Sequence, residues 1–204
     1  MKIQSIIPLL LGVLAGGATL DARAENWLFK IGAHSVDPTS GNGRLAGGTL
    51  GVDIGANVRP TVTGEYFWTP NWSVEVLAAL PFKHEVKLNG VKAATVKHLP
   101  PVVGIQYHFN AEGRVSPFVG VGLNYTYIFG ERTTGALSGA RLSLDNSIGA
   151  AAHVGIDFKL DDAWRISVDA RWIDIDSDAR VNGADVGTVS IDPLVFGVAV
   201  GRAF

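Results

Sequence analysis

Charged side chains recur at every second position inside segments that are otherwise apolar, where they could form ion pairs or move protons. They are Glu65, Glu75, Asp157, Lys159, Asp169 and Arg171. Residues two apart on a β-strand point to the same face of a sheet. We therefore expect this set to share the inside of a closed sheet, near the end where short turns join the strands. The set would form a polar plug, a purely structural network of ion pairs, or both.

Catalytic chemistry would need a nucleophile, a base and an orienting carboxylate within contact of each other. His153 and Asp157 share a strand face but lie about 13 Å apart by the rise of a strand. No Gly-x-Ser-x-Gly or His-Glu-x-x-His sequence occurs. His84 and His98 could meet across a connection, yet a zinc site would need further ligands. The sequence predicts no enzyme, no cofactor-binding residues and no metal site.

The elements that must position the charged set are strands, because eight segments alternate apolar with polar or small residues. The last segment carries Leu194, Phe196, Val198 and Val200 and ends on Phe204. Short turns at 69–71, 110–114 and 161–163 alternate with long connections near 37–57, 84–98, 130–146 and 175–190. This pattern predicts an all-β fold: an eight-stranded antiparallel transmembrane β-barrel with short periplasmic turns and longer extracellular loops.

Composition and the amino terminus indicate the compartment. The chain has 204 residues and 25 glycines. It has no cysteine, which excludes disulfides. Its net charge of -2 gives no reason to expect nucleic acid as a partner. A basic start, an apolar run over 6–18 and the sequence Ala-Arg-Ala before residue 25 are typical of a secretory signal. We predict a signal peptide at 1–24 and an outer-membrane β-barrel at 25–204, in the cell outer membrane of a Gram-negative bacterium.

The same alternation divides the predicted interior by height. Nearer the long loops, small and apolar side chains would line a narrow channel: Leu77, Ala79, Val102 and Gly104. Pro81, Pro100 and Pro101 lie at a similar height on neighbouring strands, and a proline cannot donate to the strand ladder. These prolines are candidates for a lateral opening near the outer leaflet, or they merely end their strands there.

Several stretches resemble the OmpW family, in order along nearly the whole predicted mature chain. They are LPFKHEV (80–86), KHLPPVVGIQYHF (97–109), SPFVGVGLNYT (116–126), GAAAHVGIDFKL (149–160), WIDIDSDA (172–179) and IDPLVFGVAVG (191–201). The resemblance implies an eight-stranded outer-membrane barrel whose narrow channel admits small hydrophobic molecules and releases them laterally into the membrane. Its partners would be outer-membrane lipid and small hydrophobic solutes.

The carboxyl terminus carries a further resemblance. A final phenylalanine after alternating apolar residues resembles the signal that directs outer-membrane proteins to the barrel-assembly machinery, so we expect the strand ending at Phe204 to serve that role. Two other functions stay open. A structural or receptor barrel would act through its extracellular loops without transport. A soluble lipid-binding barrel would fractionate with the periplasm and would need no detergent.

Overall fold

Alternating apolar residues form strands throughout the part of the chain that the structure describes. The structure, a computed structural model, describes residues 26–39 and 41–204, and the predicted signal peptide at 1–24 lies outside them. In chain order the elements are β1 (Trp27–Asp37), β2 (Arg44–Leu45), β3 (Leu50–Ile54), β4 (Asn57–Phe67), β5 (Trp72–Ala79), β6 (Phe82–Leu88), β7 (Val91–Leu99), β8 (Val102–His108), β9 (Val115–Thr133), a 3₁₀ turn (Gly135–Leu137), β10 (Leu142–Leu144), β11 (Ser147–Lys159), β12 (Trp164–Ile173), β13 (Asp176–Val181), β14 (Ala184–Ser190) and β15 (Leu194–Ala203). Within these ranges no helix is long and apolar enough to cross a membrane.

Eight of these strands close into a barrel, which confirms the predicted fold. Their order around the barrel is β1, β4, β5, β8, β9, β11, β12, β15, and every neighbouring pair is antiparallel. The closing pair joins the two ends of the chain, with Leu28 opposite Ala203. Trp27 and Phe204 exchange backbone hydrogen bonds of 3.1 and 2.8 Å beyond that pair. Closure leaves these strands with no unpaired sheet edge.

The outward face of the barrel is apolar. In β15, Leu194 and Phe196 are 46% and 53% exposed, whereas the intervening Val195 is 3% exposed. Exposed aromatic side chains gather at the short-turn end, where lipid headgroups meet water. They are Trp27, Trp68, Trp72, Phe109, Trp164 and Phe204. The apolar side chains at alternate strand positions therefore face hydrocarbon, and the polar and small side chains between them face the lumen.

Inward-facing glycines make room for bulky side chains in this narrow interior. A Cβ on Gly120 would overlap the ring of His153, and a Cβ on Gly197 would overlap the ring of His34. Both glycines lie within regular strands, so they supply space rather than unusual backbone angles. An eight-stranded barrel is just wide enough for its side chains to fill, and these positions show how closely it is filled.

The long connections are themselves largely β-structure and extend the barrel wall outward. β6 and β7 form a hairpin on β9, and β10, β13 and β14 form a separate three-stranded sheet. The prediction of one connection near 84–98 missed this hairpin. Phe82 continues the spacing of the exposed Val76 and Leu80, but it is buried because the alternation shifts by one residue at Leu80–Pro81.

Candidate functional site: the barrel lumen

The periplasmic half of the lumen holds a buried charged cluster centred on Glu65. Lys30 Nζ lies 2.8 Å from Glu65 Oε2 and 3.9 Å from Asp157 Oδ1. The His108 Nε2–H donates to Glu65 Oε1 at 2.9 Å, and the Ser73 hydroxyl donates to the same oxygen at 2.6 Å. Lys30 and Glu65 come from the neighbouring strands β1 and β4, as the alternation places them on one face. These ion pairs and hydrogen bonds hold the cluster in place across the lumen.

A second cluster joins Arg171 with Glu75 and Asp169. Arg171 Nη2 lies 2.8 Å from Glu75 Oε1 and 3.7 Å from Asp169 Oδ2. Since Arg171 and Glu75 belong to β12 and β5, their bond spans the lumen rather than following the wall. The His34 Nε2–H donates to Asp169 Oδ1 at 3.1 Å. Asp157 accepts from the Ser167 hydroxyl at 2.5 Å.

These contacts bring together five of the six predicted plug residues. Lys159 is the exception: its ammonium donates to the carbonyl of Ala111 at 2.5 Å, beside the periplasmic mouth. That mouth opens into a cavity of about 730 Å³ whose lining includes Arg114, Lys159 and Arg165. The described charges therefore form ion pairs that reach across the lumen, with Lys159 beside its periplasmic mouth.

The extracellular half of the lumen is lined by apolar side chains together with uncharged polar ones, such as Thr63 opposite Leu77 and Asn124 opposite Val102. Leu77 and Val102 are 6% and 1% exposed and belong to one packed cluster with side chains of the long connections, and Ala79 packs against that cluster. Gly104 is directly opposite Glu75 in register, so it marks the boundary between the two halves. Farther out, apolar side chains from β3, β6, β7, β13 and β14 enclose a cavity of about 80 Å³. A ligand pocket usually needs roughly 300 Å³ or more, so this cavity is smaller than a usual ligand pocket.

Two histidines interrupt the apolar wall without bringing charge to it. His84 Nδ1–H donates to the carbonyl of Gly55 at 2.6 Å, which leaves His84 Nε2 to accept from His98 Nε2–H at 3.2 Å. Both rings lie in the β6–β7 hairpin above the apolar band. Burial lowers the pKa of His98 to about 3 and also lowers the pKa of His84. Across the described residues, no three His, Cys, Asp or Glu side chains are arranged to hold a metal ion.

The three predicted prolines lie where two ladders break. β5 pairs with β8 up to Leu77–Val102, and pairing resumes only at Phe82–His98 between β6 and β7. Pro81, Pro100 and Pro101 fill the gap. On the other side, β4 pairs with β5 but β6 pairs with β3 and β7. The backbone hydrogen bonds Leu80 N–H to Pro60 O, at 3.1 Å, and Gly55 N–H to Glu85 O, at 3.2 Å, bridge β4 to this region.

The predicted plug left out polar members of the lower lumen, although the strand alternation does place Gln106 and His108 on the inward face. His34, Gln106, His108 and Arg165 all face inward there, and Arg165 lies 3.6 Å from Asp157. His34 lies two steps of the same alternation beyond Lys30, within β1, which continues to Asp37. The alternation, extended along this strand, would have found it.

Comparison with known proteins identifies the family. The model of the OmpW family matches residues 24–204. This chain belongs to the OmpW family. Outer membrane protein W of Escherichia coli (strain K12) is 34% identical over 215 residues, covering 100% of both chains.

Solved structures and other relatives agree with this OmpW assignment. The crystal structure of OprG from Pseudomonas aeruginosa is 27% identical, covers 87% of this chain and 95% of its own, and superposes with a TM-score of 0.77. A dibenzothiophene metabolism operon protein, PahQ of Pseudomonas aeruginosa, is 29% identical over 90% of both chains. Outer membrane protein W and OprG are outer-membrane barrel proteins rather than enzymes. This OmpW-family protein lies in the outer membrane.

Proposed function

We propose that this OmpW-family barrel is a channel with a narrow lumen that admits small hydrophobic molecules and releases them laterally into the membrane. The observation that carries the proposal is the change of lining at the level of Glu75 and Gly104. A hydrophobic solute in the upper half would have to displace buried ion pairs to continue toward the periplasm. Breaking a buried pair costs several kcal/mol, so a sideways path is cheaper.

The interrupted ladders support that sideways path. Pro81, Pro100 and Pro101 offer no N–H with which to close the wall, and β4 does not form a ladder with β6. Little backbone hydrogen bonding would therefore have to break for the wall to part here. Because the upper cavity is small, cargo would pass only when these segments separate.

The names of relatives supply the chemical class of cargo. PahQ is named for a dibenzothiophene metabolism operon, and dibenzothiophene is an apolar polycyclic molecule. By analogy, the cargo of this chain is a compact apolar molecule.

The carboxyl terminus supports a further part of the proposal, namely assembly through the last strand. Phe204 is 46% exposed at the end of β15, and the guanidinium of Arg202 lies 5.0 Å from the centroid of its ring. An exposed terminal aromatic on an edge not yet paired during folding is available to the barrel-assembly machinery.

Uptake into liposomes tests the channel. Refolded protein should speed entry of dibenzothiophene but leave the permeability to potassium and glucose at the level of empty liposomes. Replacing Pro81, Pro100 and Pro101 together with threonine restores three N–H donors and should lower dibenzothiophene uptake several-fold. Pro117→Thr, on β9 in the periplasmic half, is the matched control and should keep wild-type uptake.

Other results would replace the proposal. Dibenzothiophene uptake by the triple-threonine variant equal to that of the wild type would contradict lateral release. Conductance to glucose would contradict the narrow lumen. Flux of neither kind would favour the alternative of a structural or receptor barrel, for which the ordered extracellular strands would supply the contact surface.

A further inference from the structure

The outer surface of the β6–β7–β9 sheet, just above the apolar band, is rich in cations. We define the basic face as Lys83, Lys87, Lys92, Lys97 and Arg132, all of which are exposed. Lys97 pairs in register with Phe129, two residues beyond the exposed Tyr127 on β9. Tyrosines at this level mark the lipid–water interface. The basic face therefore begins where the hydrocarbon ends and headgroups start.

The strand register brings like charges together. Lys83 is directly opposite Lys97, and Lys87 is directly opposite Lys92. Like charges facing each other across two strands destabilise a sheet. Lys92 forms an ion pair with Glu85, but in the described part of the chain no carboxylate oxygen lies within 4.0 Å of Lys83, Lys97 or Arg132. An anion from outside the chain would relieve this repulsion.

The surroundings of Glu85 report the same positive field. The pKa of Glu85 is lowered, chiefly by its hydrogen bond and ion pair with Lys92, and Lys87 and Lys83 add to the effect. Asp53, opposite Lys87, is the other exposed acid on this sheet. Five cations thus face two carboxylates on a chain whose net charge is -2.

A β-bulge adds a cation to this face. Pairing between β7 and β9 shifts between Thr95 and Lys97, at the level of Gly130, which has φ 67°. Uninterrupted alternation from Tyr127 through Phe129 would turn Glu131 outward. The bulge instead exposes Arg132, and Glu131 turns in and accepts from the Leu144 N–H at 3.3 Å. Bulges re-aim side chains in this way.

The opposite side of the extracellular end has the opposite charge. The β13–β14 hairpin and its flanks carry Asp174, Asp176, Asp178, Asp185 and Asp192 against one basic residue, Arg180. Arg180 is already held by Asp145, with two bonds of 2.8 and 2.7 Å. Positive charge is therefore concentrated on one side of the barrel.

We propose that the basic face binds the phosphate groups of phosphorylated glycolipid in the outer leaflet, with Lys83 and Lys97 as the central pair and Arg132 beside them. Such a lipid places its phosphates directly above the hydrocarbon, at the height of this face, and its acyl chains beside the apolar wall below. Lysine stems can lie along the wall while their ammonium groups reach the headgroup. This binding needs no transport through the lumen, so it is independent of the proposed channel.

Lipid retention by the intact barrel tests the proposal. The protein is refolded in phosphatidylcholine nanodiscs that contain either a bisphosphorylated, acylated disaccharide or the same glycolipid without its phosphates. Native mass spectrometry then counts glycolipids that remain on the released barrel. Lys83→Thr/Lys97→Thr keeps strand-forming residues at exposed positions, and Arg44→Thr/Arg141→Thr removes two exposed charges elsewhere as the matched control.

We expect the wild type to retain the phosphorylated glycolipid and the Lys83→Thr/Lys97→Thr variant to lose about thirty-fold in affinity, since each lysine near a charged lipid surface contributes roughly five-fold. The control variant should stay close to wild type, and high salt should weaken retention. Equal retention of both glycolipids, or equal loss in the two variants, would overturn the proposal. Inorganic phosphate that binds as tightly as the glycolipid would overturn the assignment to a lipid headgroup. Heat-modified gel mobility verifies that every variant is folded.

Discussion

The two halves of the lumen follow one strand alternation but are filled with different chemistry. Below Glu75, charges from opposite walls pair across the barrel, as Arg171 and Glu75 do at 2.8 Å. Above it, Leu77 and Val102 pack against side chains from the folded-back long connections. The lower half is self-sufficient, because the eight strands alone supply its partners. The upper half depends on side chains from the extracellular hairpins for its packing.

The largest expected effect comes from breaking the lower cluster. Glu65→Gln leaves Lys30 buried without its main counter-charge and should lower the free energy of unfolding by about 3 to 5 kcal/mol. The double variant Lys30→Met/Glu65→Leu removes both charges and should regain most of that loss. Urea unfolding of the barrel in lipid vesicles measures all three proteins. A loss below about 1 kcal/mol for Glu65→Gln would mean that water already solvates the cluster.

The pH response of the upper half comes next. The pKa of His98 is about 3 in the fold, below its ordinary value, so the unfolded hairpin takes up a proton first as pH falls. The contribution of neutral His98 to the free energy of unfolding is complete above about pH 6.5. It declines below that pH, by up to about 3 kcal/mol at pH 4. Amide hydrogen exchange in the β6–β7 hairpin measures this decline. His98→Gln should flatten it, and an unchanged slope in that variant would place the titration elsewhere.

Placing a polar group in the upper half should lower the free energy of unfolding somewhat less than the changes above. Leu77→Asn buries an amide without a partner and should lower the free energy of unfolding by about 2 to 3 kcal/mol. Leu77→Met keeps volume and apolarity, so it should cost less than about 1.5 kcal/mol. The comparison uses urea unfolding in vesicles. Equal stability of the two variants would show that water already fills the upper lumen.

Packing of the lower half gives the smallest effect. Gly120→Ala places a Cβ against the His153 ring and 2.8 Å from the Ile105 carbonyl oxygen, and should cost about 1 to 3 kcal/mol. Gly64→Ala is the matched control, because its Cβ would meet the Phe29 ring at an ordinary 3.6 Å. That variant should be neutral or slightly stabilising. Equal losses would mean that the interior is looser than its contacts indicate.

Strand alternation alone predicted the barrel, its closure and most of the lower cluster, because those features depend only on which face a residue occupies. It could not give the cross-lumen partner of Arg171, since register and barrel shear decide which walls meet. It also missed the extracellular hairpins. Asn89–Gly90 and Asn182–Gly183 both have positive φ angles, and Asn-Gly between alternating residues is a strong hairpin signal. Spacing alone would also turn Phe82 outward, whereas the shift in alternation at Leu80–Pro81 buries it.

Directional access to the two halves tests the central claim most directly. The chain has no cysteine, so Ala79→Cys introduces one thiol in the upper lumen, and Ser116→Cys introduces one in the lower lumen, where Ser116 is opposite Asp157 in register. In oriented vesicles, a small thiol reagent should modify position 79 slowly and only from the extracellular side, because the packed upper half must first open, and position 116 only from the periplasmic side. Equal modification of position 116 from both sides would reveal a continuous aqueous pore and contradict the division of the lumen.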